Sequence, residues 1–131
     1  MEKFMKKIIV GVLIIMMTII NGCSKEDDNN NDNQYQNKIN QILNIQQKTH
    51  QDMAKQSDKV NPKFNKDEVN RYVYNNGKMI IISYPLYKEN KKLFYAAYEF
   101  KNDKIYYKQG FNAKEYVNQH EADFKDIKNE Q

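Results

Sequence analysis

The sequence predicts an α+β domain, with one long N-terminal helix packed on a four-stranded antiparallel meander and a second helix at the C-terminus. Three observations predict it. Apolar residues recur at three- and four-residue steps from Tyr35 to Met53, the spacing of one helical face. Four runs rich in β-branched and aromatic residues follow between residues 68 and 108, parted by NNGK, ENKK and KNDK, as strands joined by local turns would be. The ending GFNAKEYVNQHEADFKDIKNEQ then returns to helical spacing.

The first helix is expected over roughly 34–58. Its stripe is Tyr35, Ile39, Ile42, Gln46, Thr49 and Met53, with Leu43 beside it. Asp32 or Asn33 can cap its start, and VNPKFN closes it, because the residue before Pro62 is pushed out of the helical region.

In the meander, Asn76-Gly77 is the strongest turn signal, since both central residues of a type I′ turn need positive φ. Two-residue loops throughout would pair Asn75 with Lys78, Glu89 with Lys92 and Lys101 with Lys104. One face then carries Tyr72, Tyr74, Met79, Ile81 and Ser83 together with Phe94, Ala96, Tyr98, Phe100 and Ile105, and no charge. A charge-free face is expected to pack on the helix, with Ile42, Ile81, Ala96, Tyr98 and Phe100 buried. The other face carries Arg71, Val73, Ile80, Ile82, Tyr84, Leu86, Tyr95, Ala97, Glu99 and Tyr106, with Arg71 and Glu99 flanking Ile82. In the last segment, Asn112 and Glu115 have capping-box spacing, and Ala113, Tyr116, Val117, His120, Phe124 and Ile127 form one stripe.

The N-terminus has a different design. MEKFMKK is basic, and thirteen uncharged residues follow from Ile8 to Ile20. A bilayer-spanning helix needs about 20, so the run reads as a secretory signal peptide over residues 1–22. Cys23 is the sole cysteine, which excludes an intramolecular disulfide, and the polar SKEDDNNNDN after it argues against burial. Residues 23–34 read as a flexible tether, since residues 24–34 hold nothing apolar to offset chain entropy; eleven extended residues reach about 36 Å. The domain proper is expected over 35–131.

Composition narrows the function. Of 21 basic residues only Arg71 is arginine, and net charge falls from +4 to +2 once three lysines and a glutamate leave with the signal peptide. Nucleic-acid binding calls for a strongly basic, arginine-bearing face, so no nucleic-acid partner is expected. His50 and His120, the only histidines, cannot alone make a zinc site, and HEADF lacks the second histidine of a zinc-protease helix. Ser24, Ser57 and Ser83 sit in no nucleophile-elbow setting. Asp27-Asp28 and the Glu121/Asp123 pair read as solvated surface. The four glycines are too scattered to cradle a phosphate. No enzyme, cofactor or metal site is expected.

INGC resembles the lipobox of bacterial lipoproteins. Together with the polar tether, YVYNNGKMIIISY, YAAYEF and GFNAKEYVNQHEADFKD, it makes nearly the whole mature chain similar to the small cystatin-like-fold lipoproteins of low-GC Gram-positive bacteria. The resemblance implies a cystatin-like fold. It implies acylation of Cys23 and anchoring at the outer face of the cytoplasmic membrane, where a diacyl group holds stably. Some members are encoded on integrative and conjugative elements and are associated with exclusion of redundant transfer, which implies a membrane-protein partner in the conjugation machinery. The expected contact surface comprises Tyr84, Leu86, Tyr95 and Tyr106 on the second sheet face, with hairpin tips at Asn76 and Asn90. Binding of a small ligand or wall polymer is the alternative. Cystatin-type protease inhibition is a further one, but VYNNGKM departs from the inhibitory Gln-x-Val-x-Gly loop and the chain has no tryptophan.

Overall fold

A helix, α1, runs over residues 34–56 in the computed structural model, which describes residues 34–130. The expected signal peptide, Cys23, the helix-capping Asp32 or Asn33, and all of the tether except Gln34 lie outside the described residues; Gln34 already belongs to α1. The stripe forms as its spacing requires, with Tyr35, Ile39, Ile42, Leu43 and Gln46 buried. It drifts by one position near the end: Thr49 is exposed, and His50 is fully buried in its place.

The helix lies on five antiparallel strands: β1 (Asn70–Tyr74), β2 (Met79–Pro85), β3 (Leu93–Lys101), β4 (Lys104–Tyr107) and β5 (Phe124–Asp126). Their spatial order is β4-β3-β2-β1-β5. The first four are the expected meander. Its first turn keeps the expected position and the positive φ at Asn76 (56°) and Gly77 (88°), with Lys78 N donating to Asn75 O at 3.2 Å, but Asn75 also has φ 55° and the ladder ends at Tyr74 with Met79, so four residues rather than two join the strands. Gly77 is favoured by that φ, and a Cβ there would also crowd Lys38 Nζ at 3.0 Å, which donates to Gly77 O at 3.1 Å. Asn102 (φ 51°) and Asp103 (φ 61°) form the two-residue turn between Lys101 and Lys104.

The middle connection departs from expectation. Glu89 does not pair with Lys92; β2 and β3 pair from Met79 with Glu99 to Pro85 with Leu93. The connection at residues 86–92 is no tight turn, because Leu86–Lys88 peels away to a different neighbour. Asn61 N donates to Leu86 O at 2.9 Å, and Lys88 N donates to Lys59 O at 3.0 Å. The pairing is therefore displaced by three positions from the expected one, and an odd displacement reverses faces. β1 and β2 keep their relative register, with Tyr72 opposite Ile81 and Val73 opposite Ile80. The face against α1 combines Val69, Val73, Ile80, Ile82, Tyr84 and Leu86 with Ala96 and Tyr98. Ile81 packs on the opposite face with Tyr74, Met79, Ala97 and Ala113. Of the residues expected in the core, Ile42, Ile81, Ala96 and Tyr98 are buried. Phe100 is only half-buried, next to the β3–β4 turn at the sheet edge.

The C-terminal segment also divides differently. The short helix α2 spans Ala113–Gln119, capped by the Asn112 side chain, which accepts from Glu115 N at 3.2 Å. His120 is extended and ends it. The chain then forms β5 against the free edge of β1, with Phe124 opposite Val73. Asp123 fixes the turn into that strand: its N donates to Val73 O at 2.8 Å, and its side chain accepts from Asn76 N at 2.9 Å. Phe124 thus packs with the α1 side of the core, and Ile127 is exposed. Arg71 does not meet Glu99; its guanidinium lies 3.5 Å from Asp126 and donates to Lys66 O at 2.9 Å.

Candidate interaction surface

The six residues expected at the contact surface do not form one patch. Tyr84 and Leu86 belong to the core under α1, at 3% and 4% exposure. Their expected exposure assumed that the sheet face away from the charge-free one was open, whereas it is the face that α1 covers. Tyr84 is held by polar bonds as well: its hydroxyl accepts from Gln46 Nε2 at 2.9 Å and lies 3.2 Å from His50 Nδ1. Burial is the chief reason that its pKa is pushed up to about 12.

Asn76 and Asn90 are exposed. They sit in the connections at the two opposite ends of β2, so they cannot act as one tip. Tyr106 is about half exposed, and its neighbour Tyr107 slightly more so. Both lie on β4, an edge strand. Alternation places Tyr107 opposite Tyr98, on the α1 side, and Tyr106 opposite Glu99 on the other, so aromatic side chains project from both faces of this edge.

Tyr95 is half-buried and belongs to a different feature. On the face away from α1 it joins Tyr72, Tyr74 and Leu93 as the floor of a cleft of about 400 Å³. The end of α2 and the residues after it supply one wall (Val117, His120, Glu121 and Ala122), and Lys125, Ile127, Asn129 and Glu130 the other. The second wall is fastened from beneath by Asn70, which is fully buried. Its side-chain oxygen accepts from Lys128 N and Asn129 N, each at 2.7 Å, and its amide donates to Asn129 O at 2.8 Å and Ser83 Oγ at 3.0 Å. That uses every donor and acceptor an asparagine side chain has.

Two of the floor hydroxyls, Tyr72 and Tyr74, hold their protons more tightly than an ordinary tyrosine. Burial, and secondarily Tyr95, raises Tyr72; burial, then Tyr72 and Tyr116, pushes Tyr74 up to about 12. The Tyr74 hydroxyl is buried without a hydrogen-bond partner among the described residues. Reading the sequence assigned Tyr72 and Tyr74 to the helix-packed core and missed the cleft. The alternation of Tyr72 and Tyr74 with Val73 was visible, but the cleft exists only because the C-terminal segment folds back over that face.

Among the described residues no group of three or more His, Cys, Asp or Glu side chains is placed to hold a metal. Nor is any helix there long and apolar enough to cross a membrane.

Comparison with known proteins agrees with this architecture. The family described as a domain of unknown function with cystatin-like fold, DUF4467, matches residues 35–128. A DUF4467 family protein from Staphylococcus aureus subsp. aureus Mu50, known from a crystal structure, is similar at a TM-score of 0.67 and 29% identity. The match covers 73% of this chain and 99% of that one. No curated protein matches. With a long helix on an antiparallel sheet and a family match over most of its length, the chain belongs to the DUF4467 family of cystatin-like domains.

Proposed function

We propose that this protein is a lipid-anchored, non-enzymatic interaction module at the outer face of the cytoplasmic membrane, acting as an exclusion factor that blocks redundant conjugative transfer. The observation that carries the contact surface is the β4 edge, where Tyr106 and Tyr107 are exposed on opposite faces of a strand whose outer side pairs with no strand among the described residues. Tyrosine is enriched at protein interfaces because it offers a stiff, amphipathic contact area, and an open strand edge can bond to a partner's backbone. The short apolar run, INGC and the polar tether support the anchor. The tether would keep the domain within tens of ångströms of the bilayer, raising its effective concentration against a membrane-embedded partner. The exclusion role rests on the resemblance to lipoproteins associated with exclusion on conjugative elements.

The test is to express the protein in a recipient cell and count transfer of the matching element. Transfer should fall, and Tyr106→Ala should restore it while leaving the melting temperature nearly unchanged, as surface substitutions do. Unaffected transfer with the native chain would refute the exclusion role.

A further inference from the structure

We propose that the end of the domain at which α1 finishes docks on an anionic lipid surface, an inference that rests on the lipid-anchored reading above and adds an orientation to it. Two segments meet there. Val60 bridges to Tyr87, and Lys88 N donates to Lys59 O at 3.0 Å, so the residues that follow α1 and the β2–β3 connection form one surface. Lys55, Lys59, Lys63, Lys88, Lys91 and Lys92 are all exposed on it. Only Asp58 and Glu89 are acidic on the same two segments, and none of the six lysines is in an ion pair among the described residues. Elsewhere in residues 34–130, eleven basic side chains stand against ten acidic ones. The net positive charge of the domain is thus concentrated at this one end.

Charge alone suits any polyanion, and two further observations favour a bilayer. Tyr87 is 43% exposed amid the lysines and, with Lys59, Glu89 and Asn90, lines an open hollow of about 300 Å³. An aromatic ring with a hydroxyl suits the headgroup layer, where one side is apolar and the other wet; a soluble polyanion offers such a ring no apolar layer. The second observation is reach. α1 spans residues 34–56, about 34 Å at 1.5 Å per residue, and separates this end from the point where the chain leaves toward Cys23. The stretch 24–34 extends to about 36 Å, enough for the far end of α1 to turn to the bilayer that holds the anchor. Anchor and basic end can therefore engage one membrane at the same time. Each ammonium group within a Debye length of the lipid phosphates adds to the attraction, and six of them spread over two segments meet a charged plane together.

Tyr35–Gln131 is a compact unit, so the chain from residue 23 onward with Cys23→Ser serves as a probe without an acyl group. Its failure to bind is then separate from failure of the anchor, which fatty-acid labelling of the native chain reads. Co-sedimentation would use vesicles of equal parts phosphatidylglycerol and phosphatidylcholine, and vesicles of phosphatidylcholine alone; inorganic polyphosphate is titrated in parallel. Binding to the mixed vesicles and not the neutral ones is expected, and it should be lost in about 1 M salt, where the screening length falls to about 3 Å. Replacing Lys88, Lys91 and Lys92 together by Gln should weaken it about tenfold or more, at a nearly unchanged melting temperature. Replacing the exposed Lys104, Lys114 and Lys125 by Gln removes the same charge from other surfaces and should change it less than about twofold. Equal weakening by the two triple variants, equal binding to neutral vesicles, or no binding overturns the proposal. Binding to polyphosphate that is tighter per phosphate than binding to the vesicles overturns it too, since a soluble polyanion would then be the partner.

Discussion

Tyr98 on β3 donates its hydroxyl hydrogen to the side-chain oxygen of Gln46 on α1, inside the core. The bond is one link in a line of donors. Gln46 donates to Tyr84, and His50 Nε2 lies 2.6 Å from Asn61 O. A carbonyl can only accept, so Nε2 carries a hydrogen; in a neutral ring Nδ1 then accepts from the Tyr84 hydroxyl. Gln46→Leu fills the space but strands the buried Tyr98 hydroxyl and removes the donor to Tyr84, which keeps its bond to His50. It should cost roughly 1–3 kcal/mol for the hydroxyl left unpaired, read by urea denaturation. Adding Tyr98→Phe should cost less in that background than in the native chain, because the two residues share one interaction.

Ile80 and Ile81 are adjacent, point to opposite faces, and are both fully buried. Ile80→Ala and Ile81→Ala should therefore each lower stability by about 2–5 kcal/mol, the first by opening a cavity under α1 and the second under α2. A loss well below that range at either position in chemical denaturation would show that its face is not closed.

Asn70 and Asp126 both secure the C-terminal segment, and with unequal weight. Asn70→Ala leaves two backbone amides, a carbonyl and the Ser83 hydroxyl without their buried partner. It should cost roughly 2–4 kcal/mol and speed hydrogen exchange at Lys128 and Asn129. Asp126→Ala removes a 3.5 Å ion pair with Arg71 whose carboxylate side is partly exposed, and should cost less than about 1 kcal/mol.

Alkaline pH should unfold the domain through its buried tyrosines. Tyr84 and Tyr74 have pKa values pushed up from 10.0 to about 12, chiefly by burial. A raised tyrosine pKa means that the folded state holds its proton more tightly than the unfolded chain does. The contribution is complete below pH 10 and is lost as pH rises toward about 12. Stability measured across that window should fall, and Tyr84→Phe should make the fall shallower. Tyrosinate absorbance followed on the same samples checks the titration itself.

If the proposed anchor holds, Cys23→Ala should abolish incorporation of labelled fatty acid and release the protein from the membrane fraction, since INGC follows a short apolar run as the proposal requires. Unchanged labelling would refute the anchor.

Local chemistry was legible in the sequence. The α1 stripe, the Asn76-Gly77 turn, the two-residue turn at Asn102-Asp103 and the Asn112 cap each depend on residues a few positions apart, so their spacing alone specified them. Three features were not local. The β2–β3 register depended on where Leu86–Lys88 finds a partner, and that partner is the segment at residues 59–61, far away along the chain. β5 is three residues long, too short for a period to declare itself, and it is a strand only because β1 presents a free edge. Ile81 was correctly expected to be buried, but beneath the C-terminal segment rather than α1, since an odd displacement in pairing exchanges faces without altering which residues are apolar. The candidate surface follows the same division. Tyr106 and Asn76 are exposed, as expected of an edge strand and a turn tip. Tyr84 and Leu86 were lost to the core, and the cleft of Tyr72, Tyr74 and Tyr95 was gained, once packing had settled which face meets which layer. Sequence alone determined the elements and their turns; tertiary structure decided the faces, because pleat alternation leaves two choices that only contact with another layer can resolve.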